Sequence, residues 1–205
     1  MKHESIPVGS FQCNCHILAD DSGEAVIIDP GDDADKIIEI AKDFKVRYLV
    51  HTHCHLDHIS GTRKVADATG AKVLIHEQDR PLYENLPEQA RAFGWDVGEP
   101  APIDETFTDS DVIRFGKHEL DILHTPGHTP GSCCFRVADQ GLLFSGDTLF
   151  QRSIGRTDLW GGNYEQELES IRSKLFSLDP DTLVHPGHGP DTRIREEKEQ
   201  NPFLQ

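Results

Sequence analysis

Apolar positions along the chain follow two rhythms, short strand-length runs and a 3.6-residue helical period. "CHILAD" (15–20) and "EAVIIDPG" (24–31) predict two strands joined around Asp21-Ser22-Gly23, a hairpin signal, with Pro30-Gly31 stopping the second. "DDADKIIEIAKDF" then places Ile37, Ile40, Ala41 and Phe44 on one helical face, with Asp32 or Asp33 as its cap. "VRYLV" (46–50) is a short apolar run, most simply a buried strand. "GTRKVADATG" predicts a helix ended by Gly70, and "AKVLIH" another strand. Residues 79–110, rich in Pro and Gly and poor in period, predict a short helix plus irregular loops, a segment suited to a lid or pocket wall. "DVIRF" and "HELDILH" predict strands around Gly116-Lys117, and "SCCFRVAD" with "GLLFSGD" a second hairpin. In "NYEQELESIRSKLFSL", Tyr164, Leu168, Ile171, Leu175 and Leu178 share one face, and Asn163 with Gln166 resembles a capping box. "TLVH" (182–185) predicts a last short strand and "IREEKEQ" a solvated helix. Two hairpins combined with alternating strands and helices predict a mixed-sheet α/β fold. This pattern does not separate one domain from two halves.

Composition narrows the setting. The 205 residues are 36% hydrophobic and 27% charged, enough for a core and against disorder. No apolar run approaches the roughly 18 residues of a membrane helix. The start "MKHESIPVGS" lacks the apolar stretch of a secretory signal, so a cytoplasmic protein without a membrane partner is expected. Five cysteines, two of them adjacent at Cys133 and Cys134, make a poor disulfide framework and fit reduced thiols. Cys13-x-Cys15 is too short for a metal knuckle and places two residues on one strand face. A net charge of -16 argues against a nucleic-acid partner, whose binding surface is normally basic.

Twelve histidines are many for this length, and "HTHCHLDH" (51–58) holds four of them with an aspartate. On a helix His51 and His55 would pair as in H-E-x-x-H, but Thr52 stands where the Glu base is required. In an extended exit from the preceding strand, His53, His55 and Asp57 share a side, while His58 points elsewhere from nearly the same place. That suits two adjacent metal ions, which need about seven or eight ligands between them. Three further candidates lie at strand ends or tight turns: His128 in "HTPGHTPG", Asp147 in "FSGDTLF" and His188 in "HPGHGP". Ends of neighbouring strands gather at one sheet edge, where α/β sites collect. His3, His16, His76 and His118 are expected to be structural, and His51, His124 and His185 to be packed behind the ligand turns. Asp29 is expected to cap a turn or hold the ligand loop, with Cys54 and Leu56 facing away from the metals.

The H-x-H-x-D-H spacing at 53–58, followed in order by His128, Asp147 and His188, resembles the metallo-β-lactamase superfamily. The resemblance runs from "IIDPGD" to "PGHGP". It implies an αββα sandwich, two mixed β-sheets flanked by helices, with a two-metal site at one edge. By the same resemblance, His53, His55 and His128 bind one ion, Asp57, His58 and His188 the other, and Asp147 bridges them. Two divalent ions, zinc by expectation with iron or manganese also suited to His/Asp donors, are the implied cofactors. "TPGHTPGS", "GDTLF", "IGRTDLWGGN", "PGHGP" and "NPFLQ" look like the glyoxalase II family, hydroxyacylglutathione hydrolases, in its short single-domain bacterial branch. The expectation is one metallo-hydrolase domain over 1–205, lacking the C-terminal helical domain with which full glyoxalase II grips glutathione.

Such a site implies hydrolysis of a thioester, S-D-lactoylglutathione or a related acyl-thiol, by a metal-bridging hydroxide that Asp57 and Asp147 orient. Two ions lower the pKa of a shared water from about 15.7 to near 7. A thiolate leaving group, with a thiol pKa of about 8.5, departs without a general acid. Among Arg152, Arg156, Arg193 and Arg195, Arg156 is the candidate for gripping substrate carboxylates, against a surface pairing with Asp158. "GRTD" (155–158) departs from the family's usual Lys or Arg followed by an aromatic. The alternative is a persulfide dioxygenase with one Fe(II) on His53, His128 and Asp147, whose members also resemble "HTHCHLDHI" and "GRTD". A metal-binding scaffold is a third reading, disfavoured because structural sites are closed.

Overall fold

In the computed structural model, which describes residues 1–205, contacts divide the chain into two units: 1–107 with 114–118, and 108–113 with 119–205. The first unit carries a six-stranded sheet in sequence order: β1 (Lys2–Val8), β2 (Cys13–Ala19), β3 (Glu24–Ile28), β4 (Lys45–Val50), β5 (Lys72–His76) and β6 (Glu105–Phe107). β1, β2 and β3 run antiparallel, and β3 through β6 run parallel. Parallel neighbours need crossovers, and these are helical: α1 (Ala34–Ala41) between β3 and β4, then α2 (Leu56–Ile59) and α3 (Thr62–Thr69) between β4 and β5. The helical period holds, since α1 buries Ala34, Ile37 and Ala41, and Gly70 closes α3 in the left-handed region at φ 69°.

Three details differ from the sequence pattern. Asp33 precedes α1 with φ 48° and makes no side-chain cap. Its carboxylate instead accepts the Gly9 N–H at 3.2 Å, tying the β1–β2 turn to the helix start. Residues 77–107 hold more structure than expected: a 3-10 turn, α4 (Arg80–Glu84), α5 (Leu86–Ala92) and strand β6. β1 is also a full strand, pairing with β2 from Lys2↔Ala19 to Val8↔Cys13, although only Ile6 and Val8 of its seven residues are buried apolar positions. Pairing with a strongly apolar neighbour offsets its weak local signal.

The second unit carries β7 (Val112–Phe115), β8 (His118–His124), β9 (Cys133–Val137), β10 (Leu142–Gly146), a two-stranded ribbon β11 (Leu149–Phe150) with β12 (Ser153–Ile154), then β13 (Leu183–Pro186) and β14 (Thr192–Arg193). The main sheet has the order β14-β13-β10-β9-β8-β7. β10 and β13 are parallel, while β8–β9, β9–β10 and β13–β14 are antiparallel. The turn between β7 and β8 groups with the first unit, where Gly116 N–H donates to Glu24 at 3.0 Å. α6 (Tyr164–Ser173) is capped as expected, Asn163 Oδ1 accepting the Gln166 N–H at 3.1 Å. The helical face continues through a 3-10 turn, in which Leu175 is buried. α7 (Ile194–Gln200) buries Ile194 and Glu197.

Each unit has its own apolar core: Ile17, Ile27, Leu49, Val73 and Ile75 in the first, Leu143, Ile171, Leu175, Val184 and Ile194 in the second. Each such side chain contributes about 1.5–3 kcal/mol by leaving water. The class is α/β, with two mixed sheets flanked by helices, as the pattern predicts. All five cysteines are buried and free. No helix is long and apolar enough to cross a membrane.

Candidate metal centre

In the first unit, β3, β4 and β5 are adjacent and parallel, so their C-terminal ends lie side by side. Asp29 follows β3, residues 51–58 follow β4, and Asp79 follows β5 in its 3-10 turn. The loop is pinned from both sides. Asp29 accepts the Thr52 N–H at 2.8 Å and the Thr52 hydroxyl at 2.7 Å. Asp79, fully buried, accepts the Cys54 N–H at 2.9 Å. Gln89 of α5 accepts the Leu56 N–H at 3.0 Å and donates to the Cys54 carbonyl at 3.0 Å. Cys54 and Leu56 are buried in the core, facing away as expected.

The exit from β4 is not extended throughout. His55 is extended, but Asp57 and His58 lie on the single turn of α2. The turn swings His58 inward, against expectation, and its ring centroid lies 4.0 Å from that of His53. A ring nitrogen of His53 lies within 4.8 Å of one on His55 and one on His58. His58 Nε2 stands 3.7 Å from Asp57 Oδ2. Gly31 is required here: a Cβ on it would fall 1.7 Å from the Asp57 carbonyl oxygen.

In the second unit, β8 and β10 are both antiparallel to β9, and β13 is parallel to β10, so β8, β10 and β13 end at one edge. His128, Asp147 and His188 follow those three ends. Asp147 Oδ2 lies 3.7 Å from His128 Nε2 and 3.7 Å from His188 Nε2. The His128 turn is seated on α6, where the buried Glu167 accepts the His128 N–H at 2.9 Å. Burial, together with the neighbouring Asp147 charge, pushes the Glu167 carboxyl up to about 9.

Both halves fit a metal. Nitrogen and carboxylate oxygen at 3.7 Å are too far apart to hydrogen-bond. Two ligands about 2.1 Å from one tetrahedral ion stand about 3.4 Å apart. The outer ring nitrogens are already used. His58 Nδ1 donates to Asp29 Oδ2 at 3.0 Å, and His128 Nδ1 to the Arg156 carbonyl at 2.7 Å. The Thr52 hydroxyl, its hydrogen committed to Asp29, accepts from His53 Nδ1 at 3.2 Å. Each of these bonds fixes the tautomer in which the proton sits on Nδ1 and the lone pair on Nε2.

The three histidines just before the ligand turns make bonds of their own. His51 Nδ1 donates to the Leu74 carbonyl at 3.1 Å and Nε2 accepts from Thr62 at 2.8 Å, with burial pushing its pKa down. His124 bonds the Pro130 carbonyl at 2.9 Å and His185 bonds Asp191 at 2.8 Å. Arg156 is bidentate on Asp158, at 2.7 and 2.9 Å, which holds the Asp158 carboxyl down to about 2. Asp79, Gln89 and Glu167 escape sequence reasoning. They look like ordinary loop and helix residues, and only burial marks Asp79 and Glu167.

This chain is similar to several known proteins. The hydroxyacylglutathione hydrolase GloC of Haemophilus influenzae is 40% identical over 208 residues, which cover 100% of this chain and 98% of that one. The crystal structure of the BLEG-1 B3 metallo-beta-lactamase superposes with a TM-score of 0.93 at 38% identity, covering 99% of each chain. That of TTHA1623 in a di-iron-bound form gives 0.91 at 34% identity, over 98% of this chain and 100% of that one. Residues 8–188 match the family described as the Metallo-beta-lactamase superfamily. That span takes in every one of the seven donors, and the chain belongs to the metallo-β-lactamase superfamily.

Proposed function

We propose that this protein is a binuclear metal-dependent hydrolase of thioesters, acting on S-D-lactoylglutathione or a related acyl-thiol. His53, His55 and His128 would hold one divalent ion and Asp57, His58 and His188 the other, with Asp147 common to both. The observation that carries the reading is Asp147 Oδ2, 3.7 Å from the Nε2 atoms of both His128 and His188, one histidine from each ligand set. The relative named hydroxyacylglutathione hydrolase, matched over 98% of its length, supports the substrate class. Zinc suits the donors, and the di-iron neighbour supports iron as an alternative, with manganese also compatible.

Bound ions would supply a water ionised near pH 7, about 8 to 9 units below bulk water, and a polarised carbonyl. The chain's own residues do the rest. Asp29, Thr52 and the Arg156 carbonyl hold the ring protons of His58, His53 and His128 on Nδ1. Asp57 and Asp147 would hold the ions and orient the attacking water toward the thioester carbon. The thiolate then leaves unprotonated, since its thiol pKa of about 8.5 makes it a competent leaving group. Both units work as one metallo-hydrolase domain in the cytoplasm, where five free thiols stay reduced. The partner is a small thioester, with neither nucleic acid nor membrane.

The test is metal analysis paired with assay. About two equivalents of metal per chain are expected, with S-D-lactoylglutathione hydrolysis lost in Asp147→Ala. One iron per chain with oxygen uptake on glutathione persulfide, or turnover of a β-lactam such as nitrocefin in place of thioesters, overturns the reading.

A further inference from the structure

Three aromatic rings of the first unit pack edge-on or tilted against one another beside the candidate centre. Phe11 lies 5.4 Å from Phe93 and 5.3 Å from Trp95, centroid to centroid, and Phe93 lies 6.0 Å from Trp95. Trp95 packs on the unit's core. Phe11 and Phe93 remain 39% and 54% exposed. Their backbones are fixed. Phe11 sits in the β1–β2 turn, which the Gln12 N–H closes onto the Gly9 carbonyl at 3.2 Å. Phe93 and Trp95 leave α5 with both N–H groups on the Ala90 carbonyl at 3.0 Å. Rigidly held, exposed aromatic faces of this kind make ligand walls.

The same turn opens onto a narrow cleft. Val8, Phe11 and Trp95 line it together with the candidate metal ligand Asp57. Its free volume is about 10 Å³, the room of one water, so the cleft leads from the aromatic faces to Asp57 without holding a bulky group itself. The lining includes two carboxylates, Asp32 and Asp57, and no cation. The arginines nearest the second unit's ligand turns are engaged as well: Arg152 with Glu197 at 2.7 Å, Arg156 with Asp158, Arg195 with Asp181. Carboxylates of a substrate therefore find no side-chain cation in the cleft lining, while an uncharged apolar group meets three ring surfaces.

We infer that Phe11, Phe93 and Trp95 form a substrate subsite for an uncharged apolar group, best an aromatic ring, carried by the thioester whose carbonyl is attacked beside Asp57. The inference rests on the proposed thioester hydrolysis and, within it, favours the related acyl-thiols that carry an apolar arm over S-D-lactoylglutathione, whose arm is polar. Phe11 and Phe93 set specificity, and Trp95 is the base against which they pack.

The test uses the zinc-loaded full chain in a Trp160→Phe background, where Trp95 is the sole remaining indole of two. Benzyl methyl sulfide, which has no bond to hydrolyse, should change Trp95 emission saturably, and Phe11→Ala and Phe93→Ala should each weaken that binding. Kinetics compare S-acetyl benzyl mercaptan with S-acetyl-N-acetylcysteamine, which share the reacting acyl group. The benzyl thioester should be favoured in kcat/KM by roughly tenfold, through KM, as expected for burying one ring. The ratio should fall toward one in the Phe11→Ala/Phe93→Ala double variant and persist in Phe11→Tyr, with metal content unchanged throughout. Equal hydrolysis of both thioesters without an emission change supports the thioester reading and overturns the subsite. Sulfide binding that the Phe variants abolish, with no thioester hydrolysed, supports the subsite and overturns the thioester reading. A dimer that Phe93→Ala dissolves, with no sulfide binding, overturns the subsite in favour of a second copy of the chain.

Discussion

Asp29 Oδ2 accepts from His58 Nδ1 at 3.0 Å and from the Thr52 hydroxyl at 2.7 Å, so one buried carboxylate oxygen orients two members of the ligand loop. Asp29 does this from a left-handed backbone, φ 52°, directly after β3. Few residues other than glycine tolerate that region; Asp and Asn are the exceptions. The position therefore demands a short polar side chain on both conformational and chemical grounds.

Asp29→Asn keeps the backbone preference and removes the charge. The amide can still accept one bond but no longer favours the Nδ1–H tautomer of His58 with a full negative charge. Metal affinity should fall about 10–100-fold, as for other supports of ligating histidines, measured by competition with a chromogenic chelator. Unchanged affinity would mean that Asp29 serves the turn alone.

Gly31 tests a purely steric claim. Its Cβ would lie 1.7 Å from the Asp57 carbonyl oxygen, a contact that backbone must move to relieve. Gly31→Ala should cost at least about 1–3 kcal/mol, and each kcal/mol lowers Tm by roughly 2–4 °C at this chain length. It should also lower metal occupancy, because the shift is delivered to Asp57. A variant with wild-type Tm and metal content would refute the close approach.

Cys134, a buried thiol 3.4 Å from the Thr125 hydroxyl, gives a pH dependence of stability. Burial pushes its thiol from 9.0 up to about 12. A folded pKa above the unfolded one means that the folded state holds the proton longer. This stabilisation is complete below about pH 9 and is lost as pH rises toward 12, up to about 4 kcal/mol at 1.36 kcal/mol per unit. Thermal melts of Cys134→Ala and wild type at pH 8, 9, 10 and 11 should show the wild type losing Tm more steeply. Parallel curves would show that this thiol does not contribute to alkaline unfolding.

How much of this was legible depended on range. The donors stand out because their spacing is local, in H-x-H-x-D-H and in turns rich in Pro and Gly. β3 stands out because a strand buried on both faces is a continuous apolar run, and β4 because it ends in the buried pair Leu49-Val50. The α2 turn was hidden, since four residues carry no period and His55 enters it from extended backbone. Asp79, Gln89 and Glu167 were hidden for another reason. Their partners lie 25, 33 and 39 residues away, and nothing near them in sequence marks them as buried or as backbone acceptors.

Glu167 separates the two things a buried acid can do, hold a shape or hold a charge. It lies on the α6 face that meets the Gly127-His128 turn, and a Cβ on Gly127 would fall 2.3 Å from its Cα. Its Oε2 accepts the His128 N–H at 2.9 Å. Glu167→Gln keeps the size and an acceptor, so the turn and metal occupancy should persist with a small change in Tm. Glu167→Ala strands a buried N–H and opens a cavity, at a cost of about 2–4 kcal/mol. It also frees the turn that aims His128, so the metal-loaded fraction should fall with the Tm. If Gln proves as damaging as Ala, the carboxylate's charge, and not its place under the turn, is what His128 depends on.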